Sequence, residues 1–158
     1  MHFTGALDFI LAPSYFSRGM TTRPNKDALA TREFFAAETP KSNEQRVRDY
    51  VSAFNKREID TMLGMVSADI QWLSVAGDKI TVETQGKAKL RESLTAYFKS
   101  NPSAKSELEW VRVTASRVAA LERAAWQGKS GPKSQASLSV YEFSGGLISR
   151  VYYYPAEK

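Results

Sequence analysis

At 158 residues, with 42% hydrophobic and 25% charged side chains, the chain suits one packed domain, or one domain with an arm, and excludes global disorder. It has no cysteine and a single histidine, His2, so disulfides, thiolate chemistry, a His/Cys zinc site and His-based catalytic triads are all ruled out. The net charge of +5 is distributed over helix and strand faces without a nucleic-acid signature, so solvated lysines and arginines are expected rather than a nucleic-acid partner.

Residues 1–41 show no sustained period and are broken by Pro13, Gly19 and Pro24. A short helix is predicted in KDALATREFFAAE before Pro40 ends it, and Met20 is an alternative start. This stretch reads as an arm that packs on the body or on a partner subunit. Its apolar patch ALDFILA carries Asp8 and follows no Lys or Arg, a poor signal peptide, and no run of ~18 apolar residues occurs in the chain. A cytoplasmic protein without membrane contact is expected.

The body, residues 42–158, opens on a capping box, SNEQ, with Ser42 as N-cap. Val47, Tyr50, Val51 and Phe54 follow at helical spacing, and Ile59, Met62, Leu63 and Val66 repeat it on a second short helix. DIQWLSVAG (69–77) switches to a strand, Gly77-Asp78 turns the chain, and KITVETQG reads as a second strand. A third helix starts at Lys87 and stops at Asn101-Pro102. Four strand-length runs follow, ELEWVRVTA, RVAALERAAWQ, SQASLSVYEFS and LISRVYYYP, with short connections that favour antiparallel neighbours. The order predicts an α+β fold in which helices cover one face of a strongly curved sheet and enclose a space suited to a ligand.

The succession of these helices, SADIQWLS, the GKAKLRESL helix and the terminal SVYEFSGGLISRVYYYPAE resembles the nuclear transport factor 2-like superfamily, and within it the SnoaL-like proteins, which include ketosteroid isomerases and polyketide cyclases. The resemblance covers roughly residues 43–156. It implies a cone-shaped, curved, mostly antiparallel sheet wrapped around helices, and a homodimer through the sheet's outer face. In the isomerases a tyrosine on the first helix donates to the developing enolate oxygen, and Tyr50 matches it. Their Asp base corresponds to Ser74, and their protonated Asp to Ser139. With two of three groups replaced by hydroxyls, steroid isomerisation by that route is not expected.

Strand alternation from these anchors assigns the cavity wall. Trp72 and Ser74 face inward on one strand and Ser139 and Tyr141 on another. The resemblance aligns Trp126 with an inward aromatic, which brings Glu122 to the same face of a third strand. Arg150, Tyr152 and Tyr154 face inward on the last, with Tyr153, Val151 and Ser149 outward at the dimer face. Phe54 joins the wall from the first helix. Glu122 is the one carboxylate turned inward, with Arg150 as its expected partner. It reads either as a general acid or base or as half of a buried ion pair. Tyr50 reads equally as core or pocket.

Two functions follow. One is a cofactor-independent, metal-free enzyme acting by proton transfer on a small apolar carbonyl compound, an isomerase, cyclase or dehydratase, with Tyr50, Glu122 and Arg150 as its catalytic group. The other is a non-catalytic binding or assembly module of the same fold. A cavity filled by its own aromatic residues would exclude the first.

Overall fold

The computed structural model describes residues 41–154 and 156. The expectations for an N-terminal arm and for Met20 lie outside the described residues. Three helices and six strands follow in the expected order: α1 (Asn43–Lys56), α2 (Ile59–Gly64), β1 (Val66–Ala76), β2 (Lys79–Gln85), α3 (Lys87–Ser100), β3 (Lys105–Val113), β4 (Arg117–Gly128), β5 (Gly131–Ser144) and β6 (Leu147–Tyr153).

Helix α1 begins because the Ser42 hydroxyl accepts the Gln45 backbone N–H at 3.1 Å. The reciprocal half of the capping box does not form, since the Gln45 amide donates instead to Asp49. Arg57, in the left-handed region at φ 65°, ends the helix. Its guanidinium lies 4.5 Å over the Phe98 ring and donates to the carbonyls of Phe54, Pro102 and Ala104. One cation thereby ties the α1–α2 corner to the α3–β3 connection.

The strands form one curved, unclosed sheet in the order β2-β1-β6-β5-β4-β3. All neighbours are antiparallel except β1 and β6. The core lies between the helices and one face of this sheet. Val47 of α1, Met62 of α2, Val66 of β1, Val118 of β4 and Ile148 and Val151 of β6 are all 0% exposed. Each such side chain contributes about 1.5–3 kcal/mol when withdrawn from water.

The last hairpin decides which residues face the cavity. Gly145 and Gly146, both at positive φ, make a two-residue turn. Ser144 pairs with Leu147 and Phe143 with Ile148, but Glu142 then pairs with Arg150, leaving Ser149 as an extra residue in β6. Such a bulge reverses the facing of every residue beyond it. Ser139 therefore pairs with Tyr153, and Tyr141 with Val151, on the inner face.

Candidate functional site

A cavity of about 340 Å³ lies between the helices and the inner face of the sheet. Tyr50, Val51 and Phe54 of α1 and Leu90, Leu94 and Tyr97 of α3 form its apolar side. Trp72, Tyr141 and Tyr153 form much of the sheet side, with Glu122 on the wall. The exposed Tyr97 and Gln135 mark where this wall reaches the surface. The aromatic residues line the space without filling it.

Glu122 is 5% exposed and accepts four hydrogen bonds, all from hydroxyls. Oε1 accepts from Ser139 and Tyr141, each at 2.5 Å; Oε2 accepts from Tyr153 at 2.8 Å and from Ser106 at 3.3 Å. Ser106 is itself held by Asn55, whose side-chain amide donates to the Ser106 carbonyl and accepts its N–H, both at 2.8 Å. Charge-assisted hydrogen bonds of this kind offset the cost of taking a carboxylate out of water. The phenols feel the same burial. Tyr141 and Tyr153 ionise well above the ordinary tyrosine range, because burial and then the Glu122 carboxylate both disfavour a phenolate.

Tyr50 is the exception among these hydroxyls. It is 2% exposed, its ring tilts against Trp72 at 6.4 Å and meets Tyr141 edge-on at 6.5 Å, and its Oη has no hydrogen-bond partner among the described residues. Burial, followed by the charge of Glu122, raises its pKa. A buried hydroxyl without a partner costs about 1–3 kcal/mol, so it is an unusual thing for a fold to keep.

The structure brings together Tyr50, Phe54, Trp72, Glu122 and Tyr141 around the cavity, with Ser139 behind them as a hydrogen-bond donor to Glu122. It places five expected residues elsewhere. Arg150 is on the outer face, bonded to Gln71 at 3.0 Å and to Glu142 at 3.5 Å, and makes no pair with Glu122. Tyr152 is also outward, its hydroxyl 3.5 Å from Glu142, while Tyr154 lies just past the end of β6 and is 38% exposed. Tyr153 takes the inward place instead, stacked on Trp72 at 5.2 Å, and with Val151 it is lost to the expected dimer face. The corrections on the last strand have one cause, the extra residue Ser149.

Ser74 keeps the facing of Trp72, opposite Tyr153, but lies outside the cavity wall, its hydroxyl donating at 2.6 Å to Glu83, the extra residue of β2. Trp126 shares the facing of Glu122, but four residues at roughly 3.3 Å each carry it about 13 Å along β4, past the cavity. Sequence reasoning also missed Ser106, Ser137, Thr84, Ser93 and Gln135, which line the cavity. Among the described residues no three of His, Cys, Asp and Glu converge to hold a metal ion.

The family profile of the SnoaL-like domain matches residues 47–151. The chain belongs to the SnoaL-like family. No curated protein matches it. Solved structures with the same fold include an uncharacterised cystatin-fold protein from Novosphingobium aromaticivorans, at 21% identity and TM-score 0.63, covering 72% of this chain and 97% of that one. A candidate ketosteroid isomerase from Kribbella flavida matches at 15% identity and TM-score 0.59, covering 72% and 76%. A candidate polyketide cyclase from Xanthomonas campestris pv. campestris matches at 23% and 0.53, covering 72% and 93%. At these identities the likeness to the solved structures is one of fold.

This SnoaL-like chain thus joins a nuclear transport factor 2-like frame to a wall chemistry of one carboxylate and several hydroxyls. Tyr50, a buried phenol, lines the same cavity as a carboxylate held by four hydroxyl donors.

Proposed function

We propose that the protein binds a small, largely apolar molecule bearing a carbonyl oxygen in this cavity and moves a proton on it, as an isomerase, cyclase or dehydratase does. The observation that carries the reading is that Tyr50, whose buried hydroxyl has no hydrogen-bond partner among the described residues, lines the same cavity as the Glu122 carboxylate. A ligand oxygen would restore the missing hydrogen bond and, as negative charge develops on it, would gain more from Tyr50 than in the ground state. The cavity volume falls in the range of about 300–1,000 Å³ usual for small-molecule sites. Fold neighbours named as a candidate isomerase and a candidate cyclase are consistent with this class.

A second reading, a binding module without turnover, draws on the saturation of Glu122 by four hydroxyls, which suits a structural carboxylate. In either case we propose a homodimer through the outer sheet face, where Trp110 is 38% exposed; light scattering at the mass of one chain would refute it.

The test is a thermal-shift screen against steroids, polyketide-like aromatics, terpenoids and fatty acids, with Tyr50→Phe and Glu122→Gln beside the parent. A ligand at 100 times its Kd stabilises the fold by about 2.7 kcal/mol. A hit weakened by both substitutions supports the site. A library without a hit, and both variants as stable as the parent, refutes it.

A further inference from the structure

Each carboxylate oxygen offers about two acceptor positions. At Glu122 all of them are occupied: Oε1 by Ser139 and Tyr141, Oε2 by Tyr153 and Ser106. A ligand C–H directed at Glu122 would meet no free lone pair, so direct proton abstraction requires one hydroxyl to swing away first. Ser139 and Tyr141 are 0% exposed. Ser106 is clamped by Asn55 and makes the longest of the four bonds. Tyr153 is half-buried, lines the cavity and stacks on Trp72 at 5.2 Å. Among the described residues the other aromatic neighbour of Trp72 is Tyr50, whose hydroxyl has no partner there. One indole thus has beside it a hydroxyl with no partner and a hydroxyl bonded to the carboxylate.

We infer that Tyr153, rather than Glu122, is the group that exchanges a proton with the bound molecule, with Glu122 acting behind it as the proton store. This rests on the proton-transfer reading above. In the step, the C–H bond next to the ligand's carbonyl breaks and its proton goes to Tyr153 Oη. The phenol's own proton passes along the 2.8 Å bond to Glu122 Oε2. The C–H electron pair becomes the new C=C bond, and the carbonyl π pair moves to the oxygen, which Tyr50 stabilises. Afterwards Glu122 Oε2–H donates back to Tyr153, and the other three hydrogen bonds stay as they were. No free tyrosinate forms. Return of the proton to the same carbon or to another completes an exchange or an isomerisation, and no co-reactant is needed.

The experiment uses 2-tetralone, a bicyclic ketone with an acidic C–H position, as the probe. The full chain is incubated with it in D2O and deuterium uptake at that carbon is followed by NMR, while probe binding is read by tryptophan fluorescence. The parent is expected to accelerate exchange over buffer. Tyr153→Phe, folded by circular dichroism and binding the probe within about threefold of the parent, should lose roughly 100-fold in exchange, the lower end of general acid–base contributions. Tyr141→Phe removes one hydroxyl from Oε1 and should lose much less. Tyr153→3-fluorotyrosine keeps the hydroxyl and lowers its pKa, so it should move the exchange–pH profile to lower pH; this arm holds even if the phenylalanine variant does not fold. Exchange retained or raised in Tyr153→Phe, where Oε2 is opened to the cavity, an equal loss in Tyr141→Phe, or an unmoved pH profile overturns the relay and leaves the proton-transfer reading standing. No acceleration by the parent overturns both.

Discussion

Tyr141→Phe tests the Glu122 network as structure, independently of any ligand. In the parent the substitution removes one of four donors to a buried carboxylate, and a hydrogen bond to a charged group contributes about 1.5–3 kcal/mol. With Glu122→Leu already in place, the same substitution should act in the opposite sense. The four hydroxyls then lack their acceptor. Ser106 and Tyr153 have other recourse: unlike Tyr141, both are partly exposed on the cavity wall and can turn to water there, and Ser139 keeps the Ala120 carbonyl within 3.3 Å. Tyr141 is 0% exposed and donates only to Glu122, so its hydroxyl becomes a buried orphan whose removal should be neutral or stabilising by up to about 3 kcal/mol. The coupling between the two positions is therefore expected to be at least about 1.5 kcal/mol, whatever Glu122→Leu costs alone. Urea unfolding at pH 7 reads it as the difference in midpoints at constant m-value. If Tyr141→Phe costs the same in both backgrounds, within about 0.5 kcal/mol, the hydroxyl does not depend on Glu122 and the network reasoning is wrong.

Three further outcomes are expected. Tyr50, Tyr141 and Tyr153 all ionise above the ordinary tyrosine value of 10.0 in the folded chain. Above about pH 10 the unfolded state then binds fewer protons than the folded one, so stability is intact below that pH and falls as pH rises, at up to about 4 kcal/mol per pH unit for three groups. Denaturant melts from pH 9 to 11.5 check this, and a flat profile counts against it. Deleting Ser149 removes the extra residue and should leave a regular hairpin in which Glu142 still pairs with Arg150 and Tyr141 with Val151, so Arg150 stays outward and Val151 and Tyr153 inward. A soluble protein with a cooperative urea transition is expected, at a cost of about 3 kcal/mol or less, and loss of cooperative folding would contradict the register described. Arg150→Ala, at an exposed ion pair with Glu142, should cost under about 1 kcal/mol by urea unfolding and leave the Kd of any cavity ligand unchanged; a tenfold weaker Kd would return Arg150 to the site.

The sequence itself determined the element order, because that information is local. Ser42 starts α1 through a bond three residues long, helical spacing from Val47 to Phe54 shows the buried face, and Gly145-Gly146 leaves little choice but a tight turn. It also placed Glu122 and Tyr50, since each keeps the phase of an element without interruption between anchor and residue. The assignment failed beyond the bulge. Strict alternation through β6 turns Arg150 and Tyr152 inward, and one unpaired residue inverts Arg150, Tyr152 and Tyr153 together. A trace of this was present: Ile148 and Val151 are both 0% exposed although three residues apart, a spacing no flat strand can bury on one face.

Other features had no local signal at all. Ser106, Ser139, Tyr141 and Tyr153 come from three strands, and only pairing across β3, β4, β5 and β6 makes them neighbours of one carboxylate. The same holds for the missing partner of Tyr50, which is a property of the space around the hydroxyl and not of the residues beside it in the chain. Spacing along one segment settles which way a helix or an unbroken strand faces. Which groups meet across strands depends on register and enclosure, and those are fixed only when the sheet has formed around the helices.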